Sequence, residues 1–285
     1  MTEKFNIYQA ITDRIIAQLE EGQIPWHKPW IASGSIGAFN RISKKPYSML
    51  NQMMLQHDGE YATFKQWSDL GGKVKKGEKS EIVVFWKPTQ ITETTKNGNT
   101  VTKTIPILRY FSVFHISQVE GVEPLKRDEQ SFTHEPIEEA EQIKRSYAER
   151  EHLRIMEVNS DRAFYSPSSD YIQIPSKEQY EDIHEFYSTL FHEMIHSTGH
   201  ASRLNRFDQN AQAAAFGSSE YSKEELVAEI GAAALINLVG IETIKTFKNS
   251  AAYIQNWLRV LRNDNKFIVS ASGKAEKAVK FILGE

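Results

Sequence analysis

The run His192-Glu193-Met194-Ile195-His196 sets two imidazoles four residues apart, with a carboxylate directly after the first. On a helix, positions i and i+4 lie one above the other on the same face, so both rings can reach a single ion. Glu193 is offset by one residue, which puts its carboxylate beside the ion's open position and not on the ion. That pattern points to hydrolysis. Zinc with three protein ligands acidifies a water, and a nearby Glu takes the proton as the water attacks a polarised carbonyl. The flanks predict a helix from Tyr187 to Ser197, with Tyr187, Leu190, Phe191, Met194 and Ile195 on its buried face and Gly199 as its stop.

A third ligand is needed, and a distant carboxylate usually comes from a second helix. Glu224-Glu225-Leu226-Val227-Ala228-Glu229 lies downstream on a helix predicted over Lys223 to Leu238. Glu225 and Glu229 are themselves i and i+4, so one can bind the metal while the other accepts a proton from a ligand imidazole. Glu225 is the preferred ligand, and Glu229 on the metal is the alternative. The small apolar run Ile230 to Ile236 argues that this helix is buried. His200 competes only weakly, because Ser202 stands where a third His after the Gly turn would be required. A metal-dependent nuclease fits less well, since such sites recruit Asp-rich clusters or paired metals.

Around this pair of helices the chain reads as mainly helical, with further helices over Ile137 to Glu151 and Ala251 to Leu261. A small β element precedes the metal helix. Ala163 to Ser166 and Asp170 to Pro175 have the order of a strand pair on which an extended peptide could lie, and Tyr165 or Tyr171 could stabilise an oxyanion.

The chain has 285 residues, 34 Lys+Arg against 37 Asp+Glu, 40% hydrophobic residues and no cysteine. The composition argues against disorder, and no run approaches the ~18 apolar residues needed to span a bilayer. Met1 to Gly22 is amphipathic and of mixed charge, without the apolar core of a secretory signal, so a cytoplasmic, membrane-free protein is expected. Without cysteine there is no disulfide, thiolate catalysis, Cys-ligated zinc or iron–sulfur cluster. The near-zero balance hides an asymmetry: residues 1–127 carry a net +5 and residues 128–285 a net −8. Such asymmetry is a prior for a nucleic-acid-facing part joined to a part with another job. The polar, Gly- and Pro-bearing stretch Val119 to Pro136 places the domain boundary after Arg127.

Residues 1–127 have a different character. Phe5 to Glu21 has helical spacing, while Ile82 to Trp86 and Ile107 to Ile116 read as strands joined through Asn97-Gly98 in an antiparallel hairpin. Tyr61, Phe64 and Trp67 lead into Gly71-Gly72-Lys73-Val74-Lys75-Lys76-Gly77-Glu78-Lys79. Aromatic rings interleaved with lysines and glycines suit single-strand binding, in which bases stack on rings and the cations track phosphates.

The order of these pieces resembles the ArdC-type antirestriction proteins of plasmids and other mobile elements. The N-terminal landmarks are Gly22-Gln23-Ile24-Pro25-Trp26 with Lys28-Pro29-Trp30, Asn40, Tyr47 with Asn51, Tyr61 to Phe64, Gly71-Gly72 with Lys76-Gly77-Glu78, and Val113-Phe114. The C-terminal ones are Tyr165 with Asp170 to Pro175, His192 to His196, Thr198-Gly199-His200, Arg203 to Arg206, and Glu224 to Ala234. Ser197 departs from the pattern, since relatives often have Trp there, which would alter the pocket wall.

The resemblance implies an α+β protein of two domains. Residues 1–127 form an α+β ssDNA-binding domain, and residues 128–285 a mainly helical zincin-like metallopeptidase domain with a small sheet. It implies protection of transferred single-stranded DNA against restriction, with a zinc-dependent peptidase site acting on a protein or peptide substrate; Mn2+ is an alternative cation. The other reading is an ssDNA-binding, protecting protein whose metal centre is structural or conditionally active. The site residues expected are Glu193 as general base and His192, His196 and Glu225 on the metal, with Glu229 beside them. Trp26, Trp30, Lys44, Lys45, Tyr47, Asn51, Tyr61, Phe64, Trp67, Lys73, Lys75, Lys76 and Lys79 are expected on DNA.

Overall fold

The computed structural model describes residues 5–21, 24–27, 37–94, 100–125, 136–180, 182–207, 219–241 and 250–285. Helix α1 (Ile7–Glu20) starts at Asn6, whose side chain accepts the Tyr8 and Gln9 amides, and it buries Ile11, Thr12, Ile15 and Leu19 at the expected helical spacing. Strand β1 (Ala38–Asn40), helix α2 (Met49–Met54), strand β2 (Gly59–Ala62), helix α3 (Phe64–Asp69) and strand β3 (Lys73–Val74) follow. The long strands β4 (Glu81–Thr94) and β5 (Thr100–His115) then pair antiparallel from Glu81↔Val113 to Thr94↔Thr100. This is the expected hairpin, extended well beyond both predicted strands; Asn97 and Gly98 lie outside the described residues. The sheet order is β1-β2-β5-β4, with β1 parallel to β2, so β4 is an edge strand among the described residues. Short β6 (Val119–Glu120) pairs with β3.

The second half opens with α4 (Pro136–Glu151), β7 (Arg154–Val158), β8 (Phe164–Ser166) and β9 (Tyr171–Pro175). The strand order is β7-β9-β8. β9 is therefore paired on both sides and offers no free edge to a peptide, contrary to the reading of Asp170 to Pro175; only β8 of that hairpin does. Helix α5 (Ile183–Ser197) begins four residues before the expected start, because the Asp182 carboxylate caps the His184 amide at 2.9 Å. Helices α6 (Ser219–Leu238), α7 (Ser250–Asn263) and α8 (Phe267–Leu283) complete the chain. α8 was not expected, since Ser270, Ser272 and Gly273 dilute its apolar pattern; it ends at Gly284, whose φ of 79° is the left-handed cap. The fold is α+β, with a mixed sheet in the first half and helices on a small sheet in the second.

One hydrophobic core runs through both halves. Ile11, Ile15, Leu19, Trp26 and Met53 belong to the same buried cluster as Phe191, Ile195, Leu235 and Ala275. Trp26 packs edge-on against Trp257, with centroids 5.0 Å apart, and the Thr12 hydroxyl donates to the Asn265 carbonyl at 2.9 Å. Each fully buried side chain of this size is worth about 1.5–3 kcal/mol. Smaller clusters around Tyr61 and around Trp67 hold the first-half sheet together. The boundary proposed after Arg127 falls in 126–135, outside the described residues.

Candidate metal centre

Helices α5 and α6 lie side by side, and their closeness depends on a glycine. A Cβ on Gly231 would come within 2.6 Å of the Ile195 side chain. With that approach allowed, His192, His196 and Glu225 face one another. The two Nε2 atoms are 3.0 Å apart, and the Glu225 oxygens lie 3.5 Å from His192 Nε2 and 3.3 Å from His196 Nε2. Ligands bound tetrahedrally at zinc distances of ~2.0–2.1 Å stand about 3.3 Å from one another, so the three donors already have the edge lengths of such a site. Two imidazoles and one carboxylate suit zinc or manganese better than magnesium or calcium, which prefer all-oxygen cages.

Both rings are oriented from behind. His192 Nδ1 lies 3.5 Å from Glu229, and His196 Nδ1 lies 3.5 Å from Glu224. A carboxylate at each Nδ1 keeps the proton there and leaves both Nε2 lone pairs turned inward. Glu224 is held in turn by Arg206, whose Nη2 donates to it at 2.6 Å and to the Ile195 carbonyl at 2.8 Å. Sequence reasoning assigned no role to Glu224 or Arg206. The available signal was the Glu224-Glu225 doublet: adjacent helical residues point about 100° apart, so they can reach different atoms of the paired imidazoles.

The electrostatics follow from this packing. Burial alone would lower the His196 pKa, but hydrogen bonds to Glu224 and Glu225 outweigh it and leave the group raised. Burial would raise Glu225, yet His192 and His196 hold it well below the usual carboxylate range. Glu229 is raised, by burial first and then by the charge of Glu225. The pocket therefore concentrates negative charge around two basic nitrogens, which favours a cation.

Glu193 lies on the same helix and is 8% exposed. Its charge acts on His192, His196 and Tyr180. Tyr165, one of the two oxyanion candidates, is committed elsewhere: its hydroxyl donates to Asp170 at 2.8 Å, and Asp170 is clamped by Arg203. Tyr171 packs against Phe164 and lies under the Arg154 guanidinium. Ser197 does not line the pocket either. It is fully buried, donating to the Met194 carbonyl at 2.7 Å and sharing a hydrogen bond with the Tyr147 hydroxyl at 2.9 Å. His200 turns to Ser202. Gly199 is required by packing, because a Cβ there would meet the Phe207 ring at 2.6 Å.

A family model described as a zincin-like metallopeptidase matches residues 141–274, and one described as the N-terminal domain of anti-restriction factor ArdC matches residues 5–114. Crystal structures of the antirestriction ArdC protein from plasmid R388 are similar over 98% of this chain at 32% identity. The metal-free form gives a TM-score of 0.74 over 97% of its length, and the Mn(II)-bound form 0.77 over 98%. This chain belongs to the ArdC antirestriction family. Among curated relatives, the DNA primase TraC of Escherichia coli is 34% identical over 97% of this chain, and the uncharacterized protein y4eC of Sinorhizobium fredii is 31% identical over 95% of it. The chain spans 27% of that TraC and 90% of y4eC. No helix among the described residues is long and apolar enough to cross a membrane.

Within the ArdC N-terminal match, the residues expected on DNA divide sharply. Trp26, Tyr61 and Trp67 are fully buried and Asn51 is 3% exposed, so none of the four presents a face to a base. Each has a structural partner: Trp26 has Trp257; the Tyr61 hydroxyl donates to Glu81 at 3.0 Å; the Trp67 indole donates to the Phe114 carbonyl at 2.9 Å; Asn51 bonds both the amide and the carbonyl of Val84. Tyr47 is half-buried beside Asn40. Phe64 is 59% exposed. Lys44, Lys45, Lys73, Lys75, Lys76 and Lys79 are exposed, although Lys75 Nζ donates to the Ser117 carbonyl at 2.8 Å. Trp30 lies outside the described residues. Sequence reasoning did not name the exposed rings Phe85, Trp86, Tyr110 and Phe111 as DNA contacts.

Proposed function

We propose that this protein binds single-stranded DNA through residues 1–127, protects transferred DNA from restriction, and carries in residues 128–285 a zinc-dependent peptidase site. The observation that carries the catalytic part is the convergence of His192, His196 and Glu225 on one point, with Glu193 beside it on the same helix. When bound, a divalent cation supplies Lewis acidity toward a peptide carbonyl and acidifies water at its open position. The chain supplies the rest. Glu224 and Glu229 keep the imidazole lone pairs inward, Arg206 fixes Glu224, and Glu193 takes the proton from the attacking water and returns it to the leaving amine. A carboxylate directly after the first imidazole, and outside the His192, His196 and Glu225 donor set, supports a working role for Glu193 over a purely structural metal site. Manganese is the alternative cation, and the substrate is a protein or peptide. The exposed lysines and the rings of the β4–β5 hairpin support the DNA-binding part.

Glu193→Gln tests the reading. A general base contributes typically about 10²–10⁴-fold, so cleavage of a fluorogenic casein by the zinc-loaded protein is expected to fall by that amount, with zinc and oligonucleotide affinities unchanged. Cleavage at the wild-type rate would remove the peptidase reading.

A further inference from the structure

Between the free edge of β4 and helix α8 runs a cleft of about 770 Å³, to which the hairpin gives Phe85, Trp86 and Phe111 and α8 gives Val269, Gly273 and Glu276. Its volume is that of a small-molecule site. Two of these rings are parallel and open to solvent. Phe85 and Phe111 stack with centroids 5.1 Å apart and planes 3° apart, and they remain 39% and 51% exposed. Large rings left bare at a concave surface mark a binding face.

Charge accompanies the rings. Arg109 pairs with Phe85 across the hairpin and Lys87 follows two residues along β4, so the strand period puts both exposed cations on the Phe85–Phe111 face. Lys65 lines the cleft directly. On the other face of the hairpin, where Val84, Trp86 and Leu108 lie with α8, the cleft is kept clear by Gly273. In a helix interior glycine is destabilising relative to alanine, yet a Cβ at this position would meet nothing within 4 Å, so no packing requires the glycine. Its missing side chain leaves room in the cleft.

The edge of β4 is also ill suited to an added peptide strand. Asn51 already accepts the Val84 amide at 2.7 Å and donates to the Val84 carbonyl at 2.8 Å, closing the ladder in the middle of the cleft. A flat heterocycle needs only a face to stack on and cations for its attached phosphates. We infer that this cleft takes single-stranded DNA, with one base stacked on the Phe85–Phe111 pair, its phosphates by Lys65, Lys87 and Arg109, and the strand passing over the β4 edge to Trp86 and α8 on the other face of the hairpin. The inference rests on the DNA-binding reading above and goes beyond it by making a helix outside the 5–114 match part of the site.

The test is an anisotropy titration of labelled oligo(dT) with the full chain. Phe111→Ala is expected to raise Kd roughly 5- to 150-fold, the range for one base stacked on one ring. Gly273→Leu is expected to raise Kd comparably while leaving the thermal midpoint unchanged or higher, because the new side chain enters open space on a helix. If wild type binds and both variants bind equally well, the cleft assignment is overturned and the DNA-binding reading stands. If wild type does not bind, that reading fails and takes the cleft with it. Casein peptides that bind wild type and are shut out by Gly273→Leu, with oligo(dT) affinity untouched, would make the cleft a peptide groove.

Discussion

Helices α5 and α6 and the β4–β5 hairpin hold their functional side chains in place by opposite means. On the helices each side chain is oriented by another: Glu229 faces His192, Glu224 faces His196, and Arg206 grips Glu224. On the hairpin the rings are placed by backbone register and lean on one another, as Phe85 does on Phe111. The first arrangement depends on single atoms and directions. The second depends on area and summed charge, so many partial changes should leave it working.

The sharpest way to break that contrast is Glu224→Gln. Outer partners of metal-bound histidines are typically worth about 10–100-fold in affinity, and Glu224 is fixed by Arg206 in the position to act as one. Calorimetric titration with Zn2+ is expected to show a loss in that range, with oligo(dT) affinity staying within about two-fold of wild type because the two sites share no partners. Wild-type zinc affinity in this variant would mean that the carboxylate behind His196 does not orient it.

The same contrast explains what could be read from the sequence. His192 and His196 were legible because a fixed spacing on a helix dictates which atoms meet, and Glu225 was one of two candidates, with Glu229, on a second helix. Glu224 was hidden because its role appears only once α6 is laid against α5 and the 198–207 loop brings Arg206 back. Among the aromatic residues the pattern misled. Trp26, Tyr61 and Trp67 stand among lysines and glycines in the chain, but each ring is turned inward to a specific partner. In Val83-Val84-Phe85-Trp86 both valines are buried and both rings exposed, so no period-2 alternation betrays the exposed face. The helices and the hairpin emerged from their periodicity. α8 did not, and neither did the single core uniting α1 with the second half, which depends on long-range docking.

A milder perturbation probes the diffuse side. Lys76 is exposed on the turn before β4, and Lys75 is tethered to Ser117 through its Nζ. Lys75→Ala and Lys76→Ala are each expected to weaken single-strand binding a few-fold, with little dependence on sequence. For each phosphate that a variant no longer neutralises, the slope of log affinity against log salt should flatten by about 0.7. Binding measured across a salt series checks this. Lys76, which has the freer ammonium, is expected to give the cleaner change in slope, and a slope unchanged in both variants would place the DNA path away from this turn.

The smallest effect expected lies in the second half and concerns stability. Glu141 Oε1 on α4 accepts from Lys177 at 2.7 Å, Lys144 at 3.1 Å and the Tyr187 hydroxyl at 3.0 Å, tying α4 to α5 and to the segment after β9. Burial by itself would raise this carboxyl, but Lys177 and then Lys144 override it and hold the pKa at about 2 against 4.5. A depressed acid stabilises the fold at pH values above its unfolded pKa, and that contribution drains away as pH falls through about 4.5 toward 2. The side chain is 24% exposed, so solvent screening reduces the contribution to about 1–2 kcal/mol at neutral pH. Glu141→Gln should therefore lower stability to urea by that amount at pH 7, with the gap from wild type narrowing as the titration is repeated from pH 5 downward. A gap that stays constant with pH would assign the loss to the geometry of the hydrogen bonds. A gap that widens in acid would contradict the depressed carboxyl itself, and with it the view that this half is held by directed charge.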